Sequence, residues 1–343
     1  MWRRWDAKVV SDDLEALSGY GMTVLRVFPL WPDFQPLTGR FAGQGDPDGF
    51  GTGDGELANA ESIDPEMFNR FRFLCDAADK RGMKLVVGIL TGWMSGRLFA
   101  PPALERLDLI ADPLAIQWET RFVKRFVREF KGHPAIVAWD LGNECNYMAH
   151  PTTPSAAWVW MHAIASAIRL EDPTRPVVSG MTPNKTAWHE PFNVQDQGEL
   201  LDVLATHPYP LFTADCNHEP FNSMRNGCHP SVQSLMYAAL SGRPCFVEEA
   251  GGLGPNVASD ARTAETLRTG LFTAWAHGIA GYLWWCAFDQ SHLDFKPYAD
   301  CPVEQELGLL LADRTPKPQA LAMREFRRFV DALPFTNLPP PPH

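Results

Sequence analysis

The sequence predicts a single (β/α)8 barrel of the TIM type, in the α/β fold class, and three observations lead to it. Strand and helix patterns alternate along nearly the whole chain, as they do in a parallel sheet joined by crossover helices. The segment KLVVGIL at 84–90 is almost continuously apolar, which is typical of a strand covered on both faces. The chain has 343 residues, an ordinary length for a barrel of roughly 250 residues with insertions.

Helices are predicted from apolar periodicity together with signals at their ends. Asp64 with Pro65, and Asp112 with Pro113, each combine an N-cap side chain with a proline in the first helical position. Glycine commonly ends helices because it readily adopts the left-handed conformation, and Gly21 follows the first predicted helix. We predict helices over 7–19, 64–82, 112–130, 155–170, 230–241, 260–277 and 318–332.

Strands are predicted at about seven places from their apolar, β-branched composition. They lie at 23–30, 84–90, 135–142, 176–180, 203–209, 244–251 and 282–288. A complete barrel has eight strands and begins with one, whereas this sequence begins with a helix. An open sheet would leave unpaired backbone on two edges, so a mis-assigned start that removes the first strand is the more economical hypothesis.

Two segments fall outside the regular pattern. The Gly- and Asp-rich segment 36–62 is expected to be a long loop, functional or mobile. The proline-rich end of the chain, 337–343, is expected to be a disordered tail. We therefore predict one catalytic barrel domain over 1–336.

Composition and charge restrict the partners. The formal net charge is −11 and no basic run occurs, so nucleic acids and anionic membranes are not expected partners, because both require clustered Lys and Arg. A neutral substrate fits better than a polyanionic one. The N-terminus lacks the apolar stretch of a signal peptide, and seven scattered cysteines suit reduced thiols, which predicts a cytoplasmic protein. Secretion stays open if the true start lies upstream, and the oligomeric state cannot be read from the sequence.

One loop combines cysteine and histidine residues that could bind zinc. Cys216, His218, Cys228 and His229 have suitable side chains, but their spacing matches no standard structural zinc site. We expect a free-thiol loop or a labile disulfide here in preference to a metal.

An Asn–Glu pair, Asn143 and Glu144, ends the strand predicted at 135–142. The carboxyl ends of barrel strands carry catalysis, so the amide could bind a substrate hydroxyl while the carboxyl protonates a leaving oxygen. The alternative is an ordinary helix N-cap region, where both residue types are also common. The dipeptide alone does not decide between the two.

A second pair of carboxylates, Glu248 and Glu249, ends the strand predicted at 244–251. Neighbouring strand residues point to opposite faces, so only one of them can face a barrel axis. Two carboxylates at the mouth of a barrel are the minimum apparatus for glycoside hydrolysis. One must be ionised and the other protonated, so their surroundings must separate their pKa values.

Four ordered motifs, WDLGNE at 139–144, THPYP at 206–210, PCFVEEAG at 244–251 and YLWWCAFD at 282–289, resemble those of the clan A glycoside hydrolases, family 5 in particular. The resemblance implies that Glu144 is the acid/base and Glu249 the nucleophile. Glu249 is preferred over Glu248 because it matches the family's Glu-x-Gly pattern. This sequence departs from the family in lacking the first strand and in having Ala250 where an aromatic residue is commoner.

The same resemblance assigns substrate-binding roles to Arg26, Asn143, His207, Tyr209 and Trp285. Asn143 would bind the sugar 2-hydroxyl, Tyr209 would donate a hydrogen bond to Glu249, and Trp285 would be a stacking platform. Arg26 would keep the Glu249 carboxylate ionised, the alternative being a structural ion pair with Glu248 or Glu249. His207 would bind a sugar or orient Glu144, the alternative being a satisfied core histidine.

Further loop residues follow strand ends and could line sugar subsites, although packing or solvation is the alternative for each of them. They are Trp31, Trp93 and Asp289, with Asp33, Arg97, Asn146 and Trp188 as weaker candidates.

The function implied is a retaining β-glycoside hydrolase that acts on a neutral oligosaccharide or polysaccharide and needs no cofactor or metal. The segments LWPDFQP, GWMSG and ELGLLLADRTPKP are similar to those of family 5 β-mannosidases and mannanases, which favours β-mannosides or mannan-type oligosaccharides. A β-glucosidase or endo-glucanase of the same clan is the alternative. A metal-dependent barrel enzyme would need a motif such as H-x-H at a strand end, which the sequence lacks. An inactive carbohydrate-binding barrel would be expected to lose one catalytic glutamate, and both are present.

Overall fold

A computed structural model describes residues 2–41, 49–51, 61–150, 153–182, 190–291, 293–294, 301 and 304–334. The chain forms two compact units, Met1–Ser11 with Leu25–Leu204, and Asp12–Val24 with Ala205–His343. The first regular element is helix α1 (Ala7–Gly19), which runs across the division. The single domain predicted over 1–336 stays a prediction.

The first unit is built on a sheet in which strands alternate with helices. Its strands are β1 (Val24–Val27), β2 (Gly39–Phe41), β3 (Gly49–Gly51), β4 (Lys84–Leu90), β5 (Trp93–Met94), β6 (Arg97–Leu98), β7 (Ile136–Gly142) and β8 (Val177–Val178). The main sheet has the order β1-β4-β7-β8, and the pairs β4–β7 and β7–β8 are parallel. This arrangement brings the carboxyl ends of β4 and β7 to the same edge, where β5 and β6 form a small antiparallel hairpin.

The first unit contains five further α-helices among the described residues. They are α2 (Trp31–Phe34), α3 (Pro65–Asp79), α4 (Pro113–Phe130), α5 (Pro154–Glu171) and α6 (Val194–Leu200). Two of them, α3 and α4, begin at the predicted caps. The Asp64 carboxylate accepts hydrogen bonds from the first turn of α3, and Asp112 does the same for α4. The core between α3 and α4 is aromatic, with the Phe71 ring centroid 4.9 Å from those of Phe126 and Phe130. The short helix α6 was not predicted, because seven residues show too little periodicity to be recognised.

The second unit is also built on parallel strand pairing. Strands β9 (Leu204–Thr206), β10 (Cys245–Ala250) and β11 (Tyr282–Trp284) form a sheet of order β11-β10-β9, in which β10 and β11 are parallel. Its helices are α7 (Met224–Ser241), α8 (Asp260–Ala276) and α9 (Pro318–Asp331). Phenylalanine rings join α8 to α9, since Phe272 lies 5.2 Å from Phe326 and 5.1 Å from Phe329 between ring centroids.

The predicted elements are present, with two corrections. All seven predicted strands occur, several of them shorter than predicted. Helix α7 begins six residues before the predicted start at 230, because Ser223 caps it and Pro230 lies inside the helix. The predicted loop 36–62 contains the antiparallel pair β2 and β3, and the rest of it falls largely outside the described residues. The predicted tail 337–343 lies wholly outside them. Among the described residues, no helix is long and apolar enough to cross a membrane.

Candidate active site

Glu144 follows β7 in a conformation that is unusual for a residue with a side chain. Its backbone is left-handed, with φ 48° and ψ 46°. It starts a short 3-10 helix, Cys145–Tyr147, and its carbonyl oxygen accepts a hydrogen bond from the Tyr147 backbone N–H at 2.8 Å. Such a conformation costs on the order of 1–3 kcal/mol in a residue other than glycine and is concentrated at functional sites. The backbone at Glu144 therefore supports the functional alternative over an ordinary helix cap.

Arg26 on β1 organises the polar side chains at the end of β7. Its Nε and Nη2 donate to Asp140 Oδ2 at 2.9 and 2.7 Å, and its Nη1 donates to Asn143 Oδ1 at 2.8 Å. The Arg26 and Asp140 side chains are 5% and 0% exposed. Asn143 is itself buried, and its Nδ2 donates to the Trp93 backbone carbonyl at 2.9 Å. The residue before Glu144 is thus held by a buried ion pair on one side and by the hairpin after β4 on the other.

The backbone at Gly180, directly after the neighbouring strand β8, lies very close to the Asp140 carboxylate. Gly180 follows β8 with φ +60°, and a Cβ atom placed there would lie 2.0 Å from Asp140 Oδ1. Asp140 Oδ1 also accepts a hydrogen bond from the Gly142 N–H at 3.1 Å. Any larger residue at 180 would displace the Asp140 carboxylate from the position in which it binds Arg26.

In the second unit, Glu249 at the end of β10 is held by two residues that follow β9. The Tyr209 hydroxyl donates a hydrogen bond to Glu249 Oε1 at 2.7 Å, as predicted from the sequence. His207 Nδ1 lies 3.7 Å from Glu249 Oε2, and its other ring nitrogen lies 3.3 Å from Glu248 Oε2. His207 is fully buried, so within this unit it bridges the two neighbouring glutamates.

Exposure separates the two adjacent glutamates. The Glu248 side chain is 0% exposed, whereas that of Glu249 is 12% exposed. A carboxylate can attack a ligand only if the ligand can reach it. The partial exposure of Glu249 therefore favours it over the buried Glu248 as the reactive group. Glu248 instead contacts His207, whose Nε2 lies 3.3 Å from Glu248 Oε2.

Trp285 follows β11 and is anchored through its indole nitrogen. Its Nε1 donates to Glu304 Oε2 at 3.1 Å. The ring packs against a buried apolar cluster that contains Tyr209, Leu253, Cys286 and Leu307. Trp285 thus packs against the cluster that contains Tyr209, the residue that binds Glu249.

Three other predicted substrate-binding residues have different environments. Trp31 is completely buried and donates its indole N–H to Gln35, and Asp289 forms a buried ion pair with Lys317 at 3.1 Å. These contacts are those of core residues and do not support the predicted sugar contacts. Trp93 is only partly buried and lies 5.6 Å from the Tyr147 ring between centroids, so it is available to a ligand.

Three residues that contact the candidate site were not predicted from the sequence, namely Asp140, Tyr147 and Glu304. Asp140 had a recognisable signal, since a charged residue in the apolar strand β7 requires a partner. Tyr147 lies in a short 3-10 helix and Glu304 in the segment between β11 and α9, where composition alone carries no such signal. Of the weaker candidates, Asn146 accepts a hydrogen bond from the Thr182 N–H, Asp33 pairs with Arg3, and Trp188 lies outside the described residues.

Two of the four residues considered for zinc, Cys228 and His229, have other side-chain partners. Cys228 and His229 lie on α7, where Cys228 Sγ is 4.0 Å from Thr273 Oγ1 and His229 Nε2 is 3.1 Å from Thr213 Oγ1. All seven cysteines are free thiols. Burial lowers the pKa of His229, which favours its neutral form.

Comparison with protein families identifies one match. The model of the cellulase family, glycosyl hydrolase family 5, matches residues 10–291. The chain is also similar to mannan endo-1,4-β-mannosidase F of Aspergillus fumigatus, with 24% identity over 53% of this chain and 43% of that protein. A probable mannan endo-1,4-β-mannosidase F of Emericella nidulans is 24% identical over 63% of this chain and 50% of its own length. The chain thus spans about half the length of these curated relatives.

Solved structures resemble the chain over nearly its full length. A GH5_18 protein from Streptomyces cattleya, solved with GlcNAc, has a TM-score of 0.82 and 24% identity, covering 99% of this chain and 78% of that one. The exo-β-1,4-mannosidase Op5Man5 from Opitutaceae bacterium strain TAV5 has a TM-score of 0.77 and 25% identity, covering 96% of this chain and 57% of that one. With the family match, these similarities confirm the predicted fold class, an α/β barrel of the TIM type.

Proposed function

Because the chain belongs to glycosyl hydrolase family 5, we propose that it is a retaining glycoside hydrolase of β-mannosides, with Glu249 as nucleophile and Glu144 as acid/base. The observation that carries the proposal is the hydrogen bond from the Tyr209 hydroxyl to Glu249 at 2.7 Å. A donor at this distance stabilises the ionised carboxylate, which is the form that attacks. The partial exposure of Glu249 leaves it open to a substrate.

The proposed reaction has two displacements. In the first, a Glu249 carboxylate oxygen forms a bond to the anomeric carbon as the bond to the leaving oxygen breaks, and Glu144 gives its proton to that oxygen. In the second, a water oxygen attacks the same carbon while Glu144 takes the water proton and the ester bond to Glu249 breaks. Glu144 thereby recovers its proton and Glu249 its charge. This chemistry requires the two carboxyl groups to lie about 5–5.5 Å apart.

The fixed side chain of Asn143 supports the assignment of its neighbour Glu144 as acid/base. Its side chain is fixed by Arg26 and by the Trp93 carbonyl, so it needs little reorganisation when a sugar hydroxyl arrives. Pre-oriented groups of this kind stabilise charge that develops in the transition state.

The choice of β-mannosides is supported by the relatives. The curated proteins described above are mannan endo-1,4-β-mannosidases, and a GH5_18 variant from Streptomyces cattleya has been solved with Manβ1-4GlcNAc. We therefore expect a β-linked mannose to be the sugar whose anomeric carbon is attacked. Parallel assays with aryl β-mannoside and aryl β-glucoside test this choice, and faster turnover of the glucoside would replace it.

The nucleophile is tested with a mannosyl donor that carries fluorine at carbon 2 and a good leaving group, which should leave a stable ester on Glu249. Mass spectrometry of the digested protein should find the added mass on the peptide that contains Glu249. Glu249→Ala should abolish turnover of the aryl mannoside, and azide should restore part of it and give an α-mannosyl azide. Labelling of Glu248 in the unmodified protein would move the role to that residue, and release of an inverted sugar would contradict the retaining mechanism.

A further inference from the structure

His207 lies between the carboxylates of the two adjacent glutamates at the end of β10. Its Nε2 is 3.3 Å from Glu248 Oε2, and its Nδ1 is 3.7 Å from Glu249 Oε2. The first contact is a hydrogen bond, whereas 3.7 Å is too long for one. The imidazole is therefore bonded to the buried glutamate and lies beside the one that is partly exposed.

Backbone contacts hold the imidazole in this place. The hydroxyl of Thr206, which precedes His207, donates to the Phe246 carbonyl oxygen on β10 at 3.3 Å. The Tyr209 backbone N–H donates to the His207 carbonyl oxygen at 3.0 Å. Because the Tyr209 hydroxyl binds Glu249 Oε1, this one turn places a side chain beside each oxygen of the Glu249 carboxylate.

The contact with Glu248 determines which ring nitrogen of His207 carries a proton. In an imidazole, the hydrogen bond made by one nitrogen sets the state of the other. An ionised carboxylate only accepts hydrogen bonds, so the proton of this contact is on His207 Nε2. Both side chains are 0% exposed, and a hydrogen bond in such surroundings is stronger than in water.

Loss of the Glu248 acceptor removes this preference for a proton on Nε2. With the proton on Nδ1, a small rotation of the His207 ring brings it within hydrogen-bond distance of Glu249 Oε2, which is now 3.7 Å away. That bond would compete with the attack of the same carboxylate and turn it from the orientation that Tyr209 sets. Small misplacements of a reacting group slow a reaction strongly.

We propose that Glu248 is a positioning residue for the nucleophile: it holds His207 in one orientation with its proton on Nε2, and His207 in turn holds the Glu249 carboxylate on its Oε2 side. This inference rests on the proposed function, in which Glu249 attacks the anomeric carbon. Because the Glu248 side chain is 0% exposed, its effect on the reaction passes through His207.

Two substitutions separate the acceptor at 248 from its shape. Glu248→Leu removes the acceptor, and we expect kcat for the aryl β-mannoside to fall roughly ten- to hundredfold, as for the loss of a hydrogen bond to a charged group. KM should change little, since the effect is on the reacting carboxylate and not on binding. Glu248→Gln should recover most of the loss, because its amide oxygen accepts from His207 Nε2.

A double-mutant cycle tests whether the effect passes through His207. In a His207→Ala background, Glu248→Leu should cause little further loss of kcat, because the ring that Glu248 orients is absent. A second loss of the same size in that background would overturn the positioning role.

The side-chain ¹⁵N NMR spectrum gives a readout that does not depend on turnover. The His207 signals, identified by their absence from His207→Ala, should show a proton on Nε2 in the unmodified protein. This measurement tests the proposal even if Glu248→Leu does not fold, and an Nε2 without a proton would refute it. In folded Glu248→Leu the His207 signals should change, and unchanged signals would count equally against the proposal.

Glu119→Leu is the matched control, because Glu119 is also a fully buried glutamate and accepts a hydrogen bond from the Trp160 indole. It should leave kcat unchanged, and thermal unfolding checks that each variant is folded. An unchanged kcat in Glu248→Leu would overturn the positioning role while leaving the proposed hydrolase intact. If the unmodified protein did not hydrolyse the aryl mannoside, the proposed function would fail instead, and the role of Glu248 with it.

Discussion

The Tyr209 hydroxyl donates a hydrogen bond to Glu249 Oε1 at 2.7 Å, and this bond joins the loop after β9 to the end of β10. Tyr209 is almost completely buried, so the bond forms where water competes little for either group. It therefore influences both the position and the ionisation of the proposed nucleophile.

Tyr209→Phe removes this hydrogen bond while keeping the ring. A hydrogen bond to a charged group contributes about 1.5–3 kcal/mol, so we expect kcat/KM to fall roughly ten- to hundredfold. Steady-state kinetics on the aryl mannoside measures this loss. Tyr20→Phe is the control, since it keeps the ring that lies 5.3 Å from the Arg324 guanidinium carbon. A similar loss in that variant would contradict the assignment.

Arg26→Met tests the buried ion pair with Asp140. Removing one partner leaves an uncompensated buried charge, so the free energy of unfolding should fall by about 3–5 kcal/mol. Arg169→Met is the matched control, because the side chains of Arg169 and its partner Asp202 are 38% and 41% exposed, and exposed pairs contribute at most about 1 kcal/mol. Urea unfolding of both variants makes the comparison. Equal and small effects would show that Arg26 does not stabilise the end of β7.

Gly180→Ala separates steric contact at the end of β7 from backbone strain. Gly180 and Gly242 have similar backbones, with φ +60° and +67°, but an added Cβ at 180 would lie 2.0 Å from Asp140 Oδ1 and 2.1 Å from the Gly142 carbonyl oxygen, whereas one at 242 has nothing within 4 Å. Gly242→Ala should cost about 1 kcal/mol through its left-handed conformation alone. Gly180→Ala should cost more in urea unfolding and should also lower kcat, because Asp140 and Arg26 must move. Indistinguishable variants would show that the close approach has no consequence.

Glu119→Gln tests a buried carboxyl group on α4. Burial raises the pKa of Glu119 from 4.5 to about 8, even though the indole N–H of Trp160 donates to it at 2.8 Å. Between these pH values the unfolded chain has released the proton that the folded chain retains, so this residue lowers the free energy of unfolding as the pH rises from 4.5 to about 8. The variant lacks this titration and should become increasingly more stable than the unmodified protein over that range. Urea unfolding measures the free energy of unfolding of both proteins. If their difference stayed constant from pH 4.5 to about 8, the predicted pH dependence would be wrong.

Periodicity and end signals determined most of the secondary structure. A helix cap such as Asp64 or Asp112 acts on the backbone N–H groups two or three residues ahead, so a local pattern contains all that is needed to recognise it. The same holds for the order of strand-end motifs, which identified Glu144 and Glu249 as candidates before any contact was known.

What only the tertiary structure decided is which partner each polar side chain meets. Arg26 was expected to pair with Glu248 or Glu249, yet within its own unit it binds Asp140, which is 114 residues away in the chain. Trp31 and Asp289 follow strand ends as the other candidates do, but packing buries them among core residues. The burial of Glu248 and the accessibility of Glu249 and Tyr147 likewise depend on neighbours from distant segments. Propensity and periodicity act over a few residues, whereas desolvation and ion pairing are set by whichever segments the fold brings together, and no local pattern specifies those.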